Sequence, residues 1–197
     1  MMAEVDLREA LGRLDTALTR ERRELAGRLR PGLDPAAVAA ALTSIGVSPH
    51  PDVVAWYAWH DGAQGPGRGE RHFLRPSVNH VLGGLYLFSM EQALALREDA
   101  MSYEEDLNDP VHYRPAWFPI MMFPDGWLVC VDTADAAGGL HVWHIHAMHD
   151  MRTRVPWIAN AATFAEALTL ALNSGLTRAD DFAMPEGLPA GTRVLDY

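Results

Sequence analysis

Three apolar runs set the tightest limit on how this chain can fold: WFPIMMF (117–123), WLVCV (127–131) and LHVWHIH (140–146). Short runs rich in β-branched and aromatic residues read as strands. PDG joins the first run to the second, and DTADAAGG joins the second to the third. A parallel crossover needs about a dozen residues or more, so connections this short force antiparallel pairing. PDG is also a tight-turn signal. Pro119 has no N–H to give a ladder, which predicts an edge or a bulge at that point of the first strand.

Helical patterns flank these strands. Leu7, Leu11, Leu14, Leu18, Leu25 and Leu29 form one apolar stripe, which predicts a long helix over roughly 3–29. Such a stripe normally lies on the chain's own domain. The sharper alternative is a dimerising coiled coil, for which the repeat is short. Pro31-Gly32 breaks the stripe, and Asp34 with Pro35 supplies an N-cap and first turn for a helix over 35–45, ended by Gly46. SPHPDVVAWYAWHDG predicts a third helix over 50–60, with Val53, Trp56, Tyr57 and His60 at helical spacing and Gly62 as stop. Residues 62–76 are glycine-rich without period and read as a surface loop. A strand over 84–88 then leads into a helix over 90–99, opened by the Ser89/Gln92 capping box. Six acids with no base follow between Glu98 and Asp109, the pattern of a solvated face or mobile loop. Thr163 and Glu166 resemble another capping box, for a helix that buries Phe164, Leu168, Ala171 and Leu172 and ends at Gly175. The organisation expected is an N-terminal helix (1–30), an α+β domain (31–175) and a C-terminal tail (176–197).

Composition narrows the function classes. The 197 residues suffice for one domain with a real core. No run of about eighteen apolar residues is present and the N-terminus has no apolar signal region, so neither a membrane span nor a secretory leader is expected. The single cysteine, Cys130, lies in an apolar run and reads as a buried, inert thiol. These features fit a reducing cytoplasm. The net charge of −10 offers no basic stripe for nucleic acid and favours encounter with basic partners. All sixteen basic residues are arginine, a usage that points to a GC-rich bacterial genome.

The order of the motifs resembles a known family. LDPAAVAAALTSIGVSPHPDVVAWYAWHDG (33–62) resembles the opening of the SUKH superfamily, the Smi/Knr-type regulators and bacterial toxin-immunity proteins. GGLYLFSMEQAL (83–94), WFPIMMFPDGWLVCVDT (117–133) and GGLHVWHIHAMHD (138–150) with TFAEAL (163–168) are similar to its later blocks. The similarity covers roughly 31–175. The segment 95–115 is longer and more acidic than the pattern, and Thr163 stands where serine is usual. The resemblance implies an α+β fold, a curved and mainly antiparallel sheet flanked by N-terminal helices and a C-terminal helix. It also implies a non-catalytic role. Bacterial members commonly bind and neutralise a toxin domain, and fungal members regulate cell-wall assembly through protein contacts.

Several side chains are candidates for chemistry. HVWHIHAMHD (141–150) suggests a metal centre. Strand alternation sends His141, Trp143 and Ile145 to one face, the expected core face, and leaves Val142, His144 and His146 on the more solvated one. The H-x-H pair lacks a defined third ligand, with His149, Asp150 and Asp132 as the nearby donors, so a metal-dependent hydrolase built on His144, His146 and His149 stays the minority alternative. His60 and Asp61 suit a base and its orienter, but no nucleophile is marked, and a helix stop explains WHDG as well. Asp132 most simply accepts backbone N–H groups in its turn. Aromatic residues beside acids make a recognition surface, which nominates Trp59, His60, Asp61, Glu104, Glu105, Asp106 and Asp132 as binding residues. No cofactor is expected. The expected partner is a protein, with a basic toxin domain favoured. Self-association through the first helix, as a homodimer or scaffold, is the further alternative.

Overall fold

A computed structural model describes residues 6–64, 81–82, 85–107, 113–123, 126–144 and 158–175. In chain order the elements are α1 (Leu7–Glu21), α2 (Arg23–Ala26), β1 (Leu29–Pro31), α3 (Pro35–Ser44), α4 (Pro51–Trp59), β2 (His60–Ala63), β3 (Tyr86–Leu87), α5 (Met90–Leu107), β4 (Trp117–Met122), β5 (Trp127–Asp132), β6 (Leu140–His144) and α6 (Ala161–Asn173). The architecture is α+β. Most of the expected loop 62–76, Ile145, His146, His149, Asp150 and the tail 176–197 lie outside the described residues.

The apolar runs form the predicted meander. The main sheet has the order β3-β4-β5-β6, and every neighbouring pair is antiparallel. β4 is an inner strand, so Pro119 is accommodated by a bulge: the register against β5 slips between Pro119 and Met121. The bulge has a use. The hydroxyl of Tyr57, from α4, donates to the Pro119 carbonyl at 3.0 Å. That bond fastens the helix to the strand where the ladder is interrupted. The strand expected over 84–88 contracts to Tyr86–Leu87.

The expected split of β6 into a core face and a wetter face does not hold. His141, Val142 and Trp143 are all buried, so neighbouring elements cover both faces there. Alternation only reveals a half-buried strand, and this one is not half-buried.

The N-terminal stripe does not make one helix. α1 ends at Glu21, and Arg22 leaves helical geometry at φ −133°, ψ 50°. The stripe has no apolar residue between Leu18 and Leu25, and the break lets Leu25 turn fully into the core. Leu7, Leu11, Leu14 and Leu18 are buried where α1 packs on α6, each contributing about 1.5–3 kcal/mol of apolar burial. Arg13 and Arg20 flank that seam, bonded to Glu166 and Asn173 of α6. α1 therefore lies on its own domain, and its leucines are not available to a coiled coil.

That packing also overturns the capping box expected at Thr163. Asn160 is the N-cap, its side chain accepting from the Thr163 N–H at 2.9 Å, and Glu166 turns to Arg13 instead. The Ser89/Gln92 box does form, with reciprocal bonds of 2.9 and 3.2 Å. Its helix continues through the acidic stretch to Leu107 rather than stopping at residue 99. Glu, Met and Ala are good helix formers, and Ala100 anchors the segment in the core.

Candidate functional site

The WHDG motif sits at a junction of four elements. α4 ends at Trp59 because His60 takes extended geometry and pairs with β1 opposite Pro31. The His60 Nδ1 lies 2.8 Å from the Arg30 carbonyl, which can only accept, so Nδ1 carries a proton. Nε2 lies 3.2 Å from an oxygen of Asp15 on α1. A proton on Nε2 as well, giving the imidazolium, makes that contact an ion pair. Asp61 accepts the Met90 N–H at 2.7 Å, satisfying an orphan donor at the start of α5, and its other oxygen is 3.5 Å from Arg30. Gly62 has φ +70°, and a Cβ there would stand 2.5 Å from the Ser89 backbone nitrogen. The motif thus braces α1, β1, β2 and α5 against one another. Its polar ends are turned to neighbouring elements.

The second polar cluster lies on the sheet. Asp132 accepts the Ala134 N–H at 3.0 Å, the turn role expected of it. Its other oxygen is 3.8 Å from Nε2 of His141. His141 is only 3% exposed and stacks on Trp117 with ring centres 4.7 Å apart. Arg114 stands 5.6 Å from the Trp117 ring centre, and Tyr113 meets Trp117 and Trp143 edge-on. The carboxylate that the sequence offered as a third metal donor therefore joins His141. His146 and His149 lie outside the described residues, and of His144 the strand position is what is described. Among the described residues no three His, Cys, Asp or Glu side chains gather as a metal set. Cys130 is fully buried, and burial pushes its thiol far above the ordinary range, so the thiolate that a nucleophile needs is disfavoured.

Accessible space lies elsewhere. An open groove of about 1090 Å³ runs between the start of α1 and the outward side of α4. Val54, Ala55, Ala58 and Trp59 of α4 line it, facing Leu7 and Leu11. Asp52 lies in the groove, and its carboxylate accepts the Ala161 N–H at 3.4 Å. Burial raises the Asp52 carboxyl above the ordinary carboxylate range. Gly138, at φ +65°, closes over this corner, where a Cβ would stand 2.6 Å from His50 and 2.8 Å from Asp52.

Of the residues nominated by sequence, Trp59 lines the groove, His60 and Asp61 lie in the junction behind it, and Asp132 belongs to the sheet cluster. Glu104, Glu105 and Asp106 fall on the last turns of α5. Sequence reasoning missed Asp52 and the groove. The signal was the composition of PDVVAWYAW: a helix apolar nearly all round is either buried all round or covered by something else.

The family model described as SMI1 / KNR4 family (SUKH-1) matches residues 32–169. No curated protein matches the chain. No helix among the described residues is long and apolar enough to cross a membrane.

Proposed function

The chain belongs to the SMI1 / KNR4 family (SUKH-1), and from that premise we propose that it is a non-catalytic protein-recognition domain of the immunity type. It binds a partner protein in the cytoplasm and neutralises it by occlusion, a toxin domain or a related regulatory protein being the partner class. The observation that carries this reading is how the motif residues are used. His60 and Asp61, which suit acid–base work on paper, bond to Arg30, Asp15 and Met90 and hold the fold together. The net charge of −10 supports a basic partner, whose approach it would steer. Trp59 and the acidic turns of α5 are the proposed contact residues. The test is co-purification with the products of genes adjacent to its own. The expected result is a stoichiometric complex in which the partner's toxicity is lost. If no neighbour encodes a toxin and no partner is retained, the immunity reading fails.

A further inference from the structure

The groove along α4 carries an inference beyond family membership. α4 has two apolar faces. Val53, Trp56 and Tyr57 are buried in the core, whereas Val54, Ala55, Ala58 and Trp59 are half-buried and line an open groove. Leu7 and Leu11 of α1, nearly covered by the fold itself, add apolar character at its base.

The rim is charged, and unevenly. Asp6 and Asp52 line the groove, and Asp34 and Asp135 adjoin the lining residues Pro35 and Ala136. Arg8 lines it as well. Each of the four carboxylates accepts a backbone N–H, from Arg8, Ala161, Ala36 and Ala137 respectively, and none of them is ion-paired among the described residues. α1, α3, α4 and α6 all begin at this rim, and Asp6, Asp34, His50 and Asn160 cap them. The helix ends that would attract an anion are thus already met by side chains. What faces an incoming ligand is an apolar floor edged by the carboxylates of Asp6 and Asp52, with Arg8 beside them. Asp52 is held by one long hydrogen bond and partly stripped of water, with His50 close by.

We propose that this groove is the docking site for the partner, and that its occupant is a protein segment carrying an arginine or lysine between apolar side chains. The apolar side chains would cover the outer face of α4, and the cation would reach Asp52. This rests on the recognition reading above and adds the surface and the chemistry that it takes.

The test needs no identified partner. The full chain, isotope-labelled, is titrated with the peptide acetyl-Leu-Arg-Leu-Arg-Leu-amide and with the same peptide carrying citrulline for arginine. Amide shifts confined to the groove lining, Asp52, Val54, Ala55, Ala58 and Trp59 among them, with affinity lowered about tenfold by citrulline or by Asp52→Asn, are the expected result. Ala55→Arg, which fills the groove and adds positive charge, should abolish the shifts. Ala40→Arg, on the exposed side of α3, should leave them unchanged. Equal binding of both peptides, shifts located elsewhere, or shifts that survive Ala55→Arg would each overturn the proposal. A partner captured by co-purification and retained equally by Ala55→Arg would overturn the groove while leaving the recognition reading intact. Failure to capture any partner would count against that reading alone.

Discussion

The two faces of α4 are both apolar and have opposite fates. Trp56 and Tyr57 on one side are fully buried, Trp56 stacking on Phe164 with ring centres 6.2 Å apart. Val54, Ala55 and Ala58 on the other side keep a share of solvent and bound a groove. Apolar character alone does not separate a core face from a docking face. What separates them, among the described residues, is how closely other elements pack, as β4 and α6 do against Trp56 and Tyr57. Small side chains on the outer face leave room for a second chain.

Substitutions along this one helix can break the comparison. Trp56→Ala has the largest expected effect, a loss of about 3–5 kcal/mol in urea unfolding. Trp56→Phe should cost far less, because the indole N–H it discards is buried without a partner among the described residues. A small loss for the alanine variant would mean that both faces are alike.

Tyr57→Phe comes next, at about 1–2 kcal/mol, since it removes a buried hydrogen bond to the Pro119 carbonyl. Its effect has a pH signature. Burial raises the folded Tyr57 well above the ordinary value of 10.0, so its stability is intact below that value and is lost as pH rises beyond it, when only the unfolded chain ionises. The phenylalanine variant should show a shallower alkaline loss, leaving the share of Tyr113 and Cys130, which burial shifts the same way.

Asp52→Asn should act in the opposite sense. The folded carboxyl is raised above 3.8, so its stability is present below that value and is lost as pH rises through the folded value. The asparagine variant should therefore melt slightly higher than wild type near neutrality and equally at about pH 3. A variant that melts lower at neutral pH would show the Ala161 bond to matter more than desolvation.

Ala55→Arg has the smallest expected effect on folding, within about 0.5 kcal/mol, because its long side chain can run along the groove to solvent. A larger loss would show that the outer face is closely packed after all and would remove the basis for a docking surface.

Much of this arrangement was legible in the sequence. The short links PDG and DTADAAGG require an antiparallel meander, and Pro119 marks the bulge. Asp34, Ser89, Gly46 and Gly175 mark helix ends where the structure has them. These signals are local: a missing N–H, a positive φ or a side-chain cap acts within a few residues. The expected capping box at Thr163 misled because Glu166 had a stronger partner far away in sequence, Arg13. The end of α1 was hidden for a similar reason, since no Gly or Pro marks Arg22 and the burial of Leu25 decides it.

By itself the sequence determined the family, the meander, most helix starts and the acidic charge, because each depends on neighbours along the chain or on composition. Tertiary structure alone decided the rest. It put Asp15 beside His60, Met90 beside Asp61 and His141 beneath Trp117, so that side chains chosen for their chemistry became braces. Among the described residues it also left one apolar face of α4 bounding a groove beside Asp52. Those outcomes depend on which distant surfaces meet, and spacing along a chain does not encode distance across a fold.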